Sequence, residues 1–198
     1  MMWHRGRQYF EHAGGWRKEA DKVGGGVLIH QAIHHIDLLR WLMGSVESVN
    51  GRLGSLVHDV DADVDVEDTG YALIKFKSGA FGVIEASNAA TSSLSDILEI
   101  HGASGSVRLA NNAFANRIVF WNTGNSAKRK MADFLRAKIM MIGNLRKGTF
   151  GDQVEDFCGA ILNNRQPFVT GEEARKTLEL VLAIYRSHRL KREVQVDI

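Results

Sequence analysis

Gly24-Gly25-Gly26-Val27-Leu28-Ile29-His30-Gln31-Ala32-Ile33-His34-His35-Ile36-Asp37-Leu38-Leu39-Arg40-Trp41-Leu42-Met43-Gly44 is the most informative run of the chain. It opens on glycines and meets no further breaker until Gly44, which predicts a tight loop feeding a helix that stops at its C-terminal glycine. On a period of 3.6, His30, His34, Asp37 and Trp41 share one stripe. Ile29, Ile33 and Ile36 form a second, and Leu28, Ala32, Leu39 and Leu42 a third. Only Gln31 and Leu38 fill the remaining arc, so the helix is expected to be mostly surrounded by protein, its histidines lining a cleft.

Imidazoles and a carboxylate on one line admit three explanations. Histidines on a core-facing helix are often satisfied structural residues. His30 and His34 also stand at metal-ligand spacing with Asp37 as a third donor, but Gln31 occupies the place of the glutamate that serves a metalloprotease as base, and no metal is expected. General acid–base catalysis is the third, because an imidazole titrating near neutral pH can take a proton from a substrate hydroxyl.

Working outward, 198 residues with 44% hydrophobic and 24% charged content suffice for one well-buried domain, residues 1–198, and would crowd two. A formal net charge of +2 argues against nucleic acid as a partner. The solitary Cys158 cannot form an internal disulfide and is expected to be packed, in a reducing compartment. Met1 to Phe10 lacks an apolar signal core and nothing later resembles a membrane span, so a soluble cytoplasmic protein is expected.

Before the triple glycine, Trp3 to Val23 mixes aromatic and basic residues. Trp16 and Arg17 read either as a substrate wall with an anion contact or as a surface arginine lying over a packed ring. After Gly44 the period becomes alternating. Val46 to Val57 is a strand with a bulge expected at Gly51 or Gly54, and the acidic run His58 to Asp68 is an exposed connection without the glycine and terminal glutamate of a calcium loop. Gly70–Phe76 and Phe81–Ser87 make one hairpin, Asp96–His101 and Ser106–Ala110 a second, and Arg117–Trp121 a further strand.

These hairpins predict a large, mostly antiparallel open sheet with helices packed on one face, an α+β fold. Its other face keeps apolar side chains and is expected to join copies of the chain into a homodimer or homotetramer. A polar loop, Asn122 to Ser126, leads to a basic helix over about residues 127–145, and a second helix spans Gln153 to Leu162. Thr170 and Glu173 form a capping box for a last helix whose buried side is read as Ala174, Leu178, Val181 and Tyr185. Val194, Val196 and Ile198 return to the sheet.

Trp3-x-Arg5, Tyr9, Trp16-Arg17, Gly24-Gly25-Gly26-x-Leu28, His30-Gln31-x-x-His34-x-x-Asp37-Leu38-Leu39-x-Trp41-Leu42-x-Gly44, Glu67-Asp68-Thr69, Asp156-Phe157, Val169 to Ala174 and Ala183-Ile184-Tyr185-x-Ser187 together resemble the C-terminal catalytic domain of the glucose-fructose oxidoreductase, inositol dehydrogenase and rhizopine-catabolism family (Gfo/Idh/MocA). The resemblance implies a glyceraldehyde-3-phosphate dehydrogenase-like C-terminal fold and oxidation of a ring hydroxyl on a sugar or nucleotide-sugar. It makes His34 the catalytic histidine, with His30 beside it where the family usually has Asp or Asn. Tyr9, Trp16, Arg17 and Asp37 become substrate contacts, Asp37 being also a residue that could orient an imidazole. NAD or NADP is the implied cofactor, with Gly25 and Gly26 as minor contacts to it. The chain has no Gly-x-Gly-x-x-Gly after a strand and no Glu-Lys-Pro element, so the nucleotide-binding Rossmann domain is expected to be absent and this chain alone inactive. A competing expectation is a sugar-binding or oligomerisation module that has lost hydride chemistry.

Overall fold

The structure is a computed structural model that describes residues 1–58, 66–91, 96–112, 115–122, 150–196 and 198. The polar loop after Asn122, the basic helix over 127–145 and the middle of the acidic run, 59–65, lie outside the described residues. In chain order the elements begin with α1 (Arg7–Glu11), a 3-10 turn (His12–Lys18), α2 (Ala20–Val23), a π turn (Leu28–Ala32) and α3 (Ile33–Met43). Strands β1 (Val46–Gly54), β2 (Thr69–Phe76), β3 (Phe81–Ser87), β4 (Asp96–Gly102), β5 (Gly105–Asn112) and β6 (Ala115–Asn122) follow. Helices α4 (Phe150–Leu162) and α5 (Gly171–Leu190) and strand β7 (Val194–Gln195) complete the order.

These elements form two compact units, Met1–Leu94 with Glu172–Ile198, and Ser95–Gly171. The first holds a four-stranded sheet in the order β3-β2-β1-β7, the second a three-stranded sheet in the order β4-β5-β6. Every pairing between named strands is antiparallel, as the alternation predicts, and the class is α+β. The first hairpin turns through Lys77 to Ala80, with Gly79 at φ +86°, and the second closes with Gly102 opposite Gly105. β7 takes the edge beside β1, where Val194 faces Val49.

In the first unit the inward side chains Ala72, Ile74 and Phe76 of β2 and Ile84 and Ala86 of β3 are buried. On the other face Tyr71, Leu73, Phe81 and Val83 are 53–79% exposed. α5 lies close on β1: a Cβ at Gly51 would stand 2.6 Å from the Ile184 Cγ2. Gly51 therefore exists to let Ile184 in rather than to make a bulge. The irregularity of β1 lies between Val46 and Ser48. Burying Ile184 contributes roughly 1.5–3 kcal/mol by its apolar area.

The buried side of α5 also differs from the expected stripe. Thr177, Leu180, Val181, Ala183, Ile184 and Ser187 are buried, Ala174 and Leu178 are exposed, and Tyr185 is half-buried. Two polar members disguised the true stripe, and both find partners inside. The Ser187 hydroxyl accepts the Gly51 N–H at 3.0 Å and donates to the Arg192 carbonyl at 2.6 Å. Thr177 donates to Asp37 and accepts from Arg40 Nε.

Two further expectations are corrected. Cys158 is exposed on α4 rather than packed. The end of the acidic run is buried, with Val66 at 4% and Asp68 at 1% exposure. β1 stops at Gly54, short of Val57, because the following turn wraps the Asp68 carboxylate: the N–H groups of Leu56, Val57 and His58 donate to it at 2.8–3.0 Å. Among the described residues no helix is long and apolar enough to cross a membrane.

Candidate active site

The first N–H groups of a helix lack intrahelical acceptors, and here one residue from the far side of the sequence supplies them. Glu67 accepts Gly26 N–H on Oε2 at 2.7 Å and Leu28 N–H on Oε1 at 3.0 Å, while its backbone carbonyl accepts Val27 N–H at 3.0 Å. Tyr185 adds a hydroxyl bond to Oε1 at 2.6 Å. Burial and then the Glu67 charge push the Tyr185 phenol up from its ordinary value.

This arrangement explains the triple glycine. A Cβ at Gly26 would stand 1.8 Å from the Glu67 carbonyl oxygen, and one at Gly25, where φ is +153°, would stand 2.2 Å from the Tyr185 hydroxyl. The space a side chain would need at either glycine is filled by protein, while the Gly25 backbone borders a cleft with Gly24 and Glu67. Among the described residues no glycine-rich strand-turn-helix forms a pyrophosphate cradle.

The helix then opens with the π turn, which inserts extra backbone between His30 and His34 and breaks the 3.6 register. Its buried line is Leu28, Ala32, Ile36 and Leu39. His30 and His34 part company as a result: His30 is half-buried and His34 is exposed. Asp37 is also exposed, and Trp41 is 66% exposed, so α3 shows one face to the core and an open face opposite, unlike the nearly surrounded helix expected.

Four of the expected site residues do come together. The His30 ring meets Trp16 edge to face at 5.9 Å between centroids. The Arg17 guanidinium lies 4.8 Å from the Trp16 ring centre and 5.0 Å from that of Tyr9. The Tyr9 hydroxyl accepts Gln31 Nε2–H at 3.2 Å. His30 Nε2 is buried without a hydrogen-bond partner, and burial, followed by the Arg17 charge, lowers the imidazole pKa below its ordinary value.

Among the described residues His34 makes no side-chain hydrogen bond, ion pair or ring contact with this cluster. Asp37 meets Thr177 and, at 3.5 Å, Arg40 rather than an imidazole. Arg40 in turn reaches Glu173 at 3.1 Å, so Asp37 helps tie α3 to α5.

Three participants escaped the residue-by-residue reading. Arg5 lies 5.3 Å from the Tyr9 ring centre and lines a cleft of about 730 Å³ with His4, Gly6, Gln8 and Tyr9. Glu67 and Tyr185 line a second cleft of about 440 Å³ with Ser55 and His188. Arg5, Glu67 and Tyr185 stood in motifs that carried the resemblance, but no local pattern marks a carboxylate as the cap of a helix 41 residues earlier.

The family model for the oxidoreductase family, C-terminal alpha/beta domain (Gfo/Idh/MocA), matches residues 2–196. The chain is 27% identical to myo-inositol 2-dehydrogenase of Thermotoga maritima over 178 residues, 89% of this chain and 51% of that protein. It is 26% identical to the NAD(+) scyllo-inositol 2-dehydrogenase of Bacillus subtilis, over 89% of this chain and 49% of that one. Among solved structures, the WlbA dehydrogenase from Bordetella pertussis, in complex with NADH and UDP-GlcNAcA, superposes with a TM-score of 0.78 at 28% identity, covering 100% of this chain and 55% of that one. The chain thus spans about half the length of the relatives it matches. A match over nearly its whole length, on the antiparallel α+β architecture described above, places this chain in the Gfo/Idh/MocA oxidoreductase family as a C-terminal α/β domain.

Proposed function

We propose that residues 1–198 are the substrate-binding and oligomerisation domain of an NAD(P)-linked oxidoreductase that oxidises a ring hydroxyl of a sugar or nucleotide-sugar. The observation that carries this reading is the imidazole of His34, exposed on a helix whose opposite face is packed in the core. A base in that position is reachable by a substrate hydroxyl and takes its proton as the carbon is oxidised. The hydride belongs to a nicotinamide cofactor, as the names of the relatives support, and the described residues of this chain hold the sugar side only.

Tyr9, Trp16, Arg17 and His30 form the wall against which the sugar lies: aromatic faces suit its C–H surface, and the Arg17 guanidinium suits its oxygens. The exposed Tyr71, Leu73, Phe81 and Val83 supply the apolar sheet face for a homodimer or homotetramer.

The decisive experiment is His34→Ala in an assembly that includes a nucleotide-binding domain. kcat/KM should fall by about 10²–10⁴-fold with the melting temperature unchanged, since general-base catalysis contributes on that scale and the residue is exposed. Undiminished turnover would remove His34 from the role. Calorimetric titration of the chain by itself should show no tight NAD(P) binding.

A further inference from the structure

We propose that Arg5 and Arg17 form an anion clamp, so that the sugar this domain takes carries a phosphate or carboxylate group and is not a neutral polyol. The proposal rests on the reading above that the Tyr9–His30 cluster holds the sugar, and it names the class.

The first ground is unused charge. Arg40, Arg108, Arg165 and Arg175 each pair with a carboxylate. Arg5 and Arg17 are both half-buried and among the described residues meet none; the half-buried Arg52 also lacks one but donates to the Asn50 side chain and to the Gly51 and Lys191 carbonyls, partners that Arg17 does not have. The single hydrogen bond of the Arg5 guanidinium runs from Nη1 to the adjoining His4 carbonyl at 3.1 Å, and its Nε is buried without an acceptor. The terminal Nη2, which has no hydrogen bond and is not among the buried atoms, is the donor that an acceptor from outside can reach.

Geometry is the second. Both guanidiniums lie against the Tyr9 ring, at 5.3 Å for Arg5 and 5.0 Å for Arg17. A guanidinium over a ring face can still offer in-plane N–H donors in the two-pronged grip that phosphate and carboxylate oxygens accept. Arg5 also borders the cleft of about 730 Å³, which gives a ligand room to approach.

Third, Arg5 is held in place before any ligand comes. Its backbone N–H donates to the Asn88 carbonyl at 2.9 Å, and its carbonyl accepts His58 Nε2–H at 2.8 Å. His58 is itself fixed by its ring contact with Phe10 at 4.8 Å and by the loop wrapped around Asp68. A clamp preorganised in this way loses little freedom on binding.

The test is calorimetry on the 198-residue chain with four probes: UDP-glucuronate, UDP-glucose, glucuronate and myo-inositol. UDP-glucuronate should bind at least tenfold more tightly than myo-inositol and weaken as sodium chloride is raised. UDP-glucose against glucuronate then tells a diphosphate source of the charge from a carboxylate source. Arg17→Gln should weaken the better anionic probe at least tenfold more than it weakens myo-inositol, while Arg17→Lys, which keeps the charge but not the planar fork, recovers only part of the loss. Arg5→Gln should act in the same direction, and Arg17→Gln keeps the test independent of folding because the Arg17 backbone anchors no tertiary bridge.

The proposal is overturned if myo-inositol binds as tightly as the anionic probes, if no anionic probe binds, or if the arginine substitutions leave anion affinity intact. Tight, arginine-independent inositol binding would sink the clamp and leave the oxidoreductase reading standing. Tight UDP-glucuronate binding without NAD(P) reduction in the complete assembly would do the reverse.

Discussion

The Glu67 carboxylate accepts the Gly26 N–H at 2.7 Å, and the Glu67 backbone carbonyl occupies the volume that a side chain at Gly26 would need. One residue just before β2 thereby sets both where the histidine-bearing helix begins and why its leader is glycine.

Gly26→Ala should accordingly lower stability by about 3 kcal/mol or more, because the clash is with backbone that cannot rotate away. Gly171→Ala, where an added Cβ meets nothing within 4 Å, should change it by less than about 0.5 kcal/mol. Urea midpoints of the two variants against the parent chain decide the matter.

Tyr185→Phe removes the hydroxyl bond to Glu67 and should lower stability by about 1–2 kcal/mol near neutral pH. It should also change the alkaline limb. Burial first, then Glu67, raises the phenol pKa in the folded state, so the unfolded chain loses this proton first and the native state loses stability as pH rises above about 10. A variant whose stability falls as steeply as the parent's above that pH would contradict this.

Asp68 governs the acid side. Burial is the largest influence and opposes its charge, but the N–H groups of Leu56, His58 and Val57 and the Thr69 hydroxyl together outweigh it and hold the carboxyl below its ordinary value. Its contribution is therefore complete above about pH 4 and lost as pH falls through the lower folded value. Asp68→Asn should remove that acid dependence and lower neutral-pH stability by about 1–3 kcal/mol, since an amide nitrogen cannot accept the loop's N–H groups.

His30 titrates below its ordinary value because it is buried and, secondly, because Arg17 is near. Arg17→Gln should move the His30 pKa upward in an NMR titration of the imidazole protons, and the loss of folded stability below about pH 6.5 should become shallower. An unmoved resonance would place Arg17 too far away to matter.

Two expectations drawn from local pattern fared differently. The hairpin on either side of Lys77 to Ala80 was readable because strict alternation of Ala72, Ile74 and Phe76 and a turn glycine are short-range signals. The buried line of α5 was not, because Thr177 and Ser187 are polar, and only partners on other elements, Asp37, Arg40 and Gly51, make them interior residues. The candidate site divides the same way. The family resemblance singled out Tyr9, Trp16, Arg17 and His30, which do meet, whereas the shared stripe of His30 and His34 assumed a regular helix that the π turn interrupts.

Sequence alone thus determined the α+β class, the hairpins and the helix carrying His34, since each is written in contiguous residues with a period of two or 3.6, while motifs spread along the chain carried the family resemblance. Tertiary structure alone decided the cap from Glu67, across 41 residues to Gly26, and its bond to Tyr185, across 118. A carboxylate that satisfies distant backbone donors leaves no periodic trace in the chain. Its partners are chosen by which groups packing brings within hydrogen-bond reach.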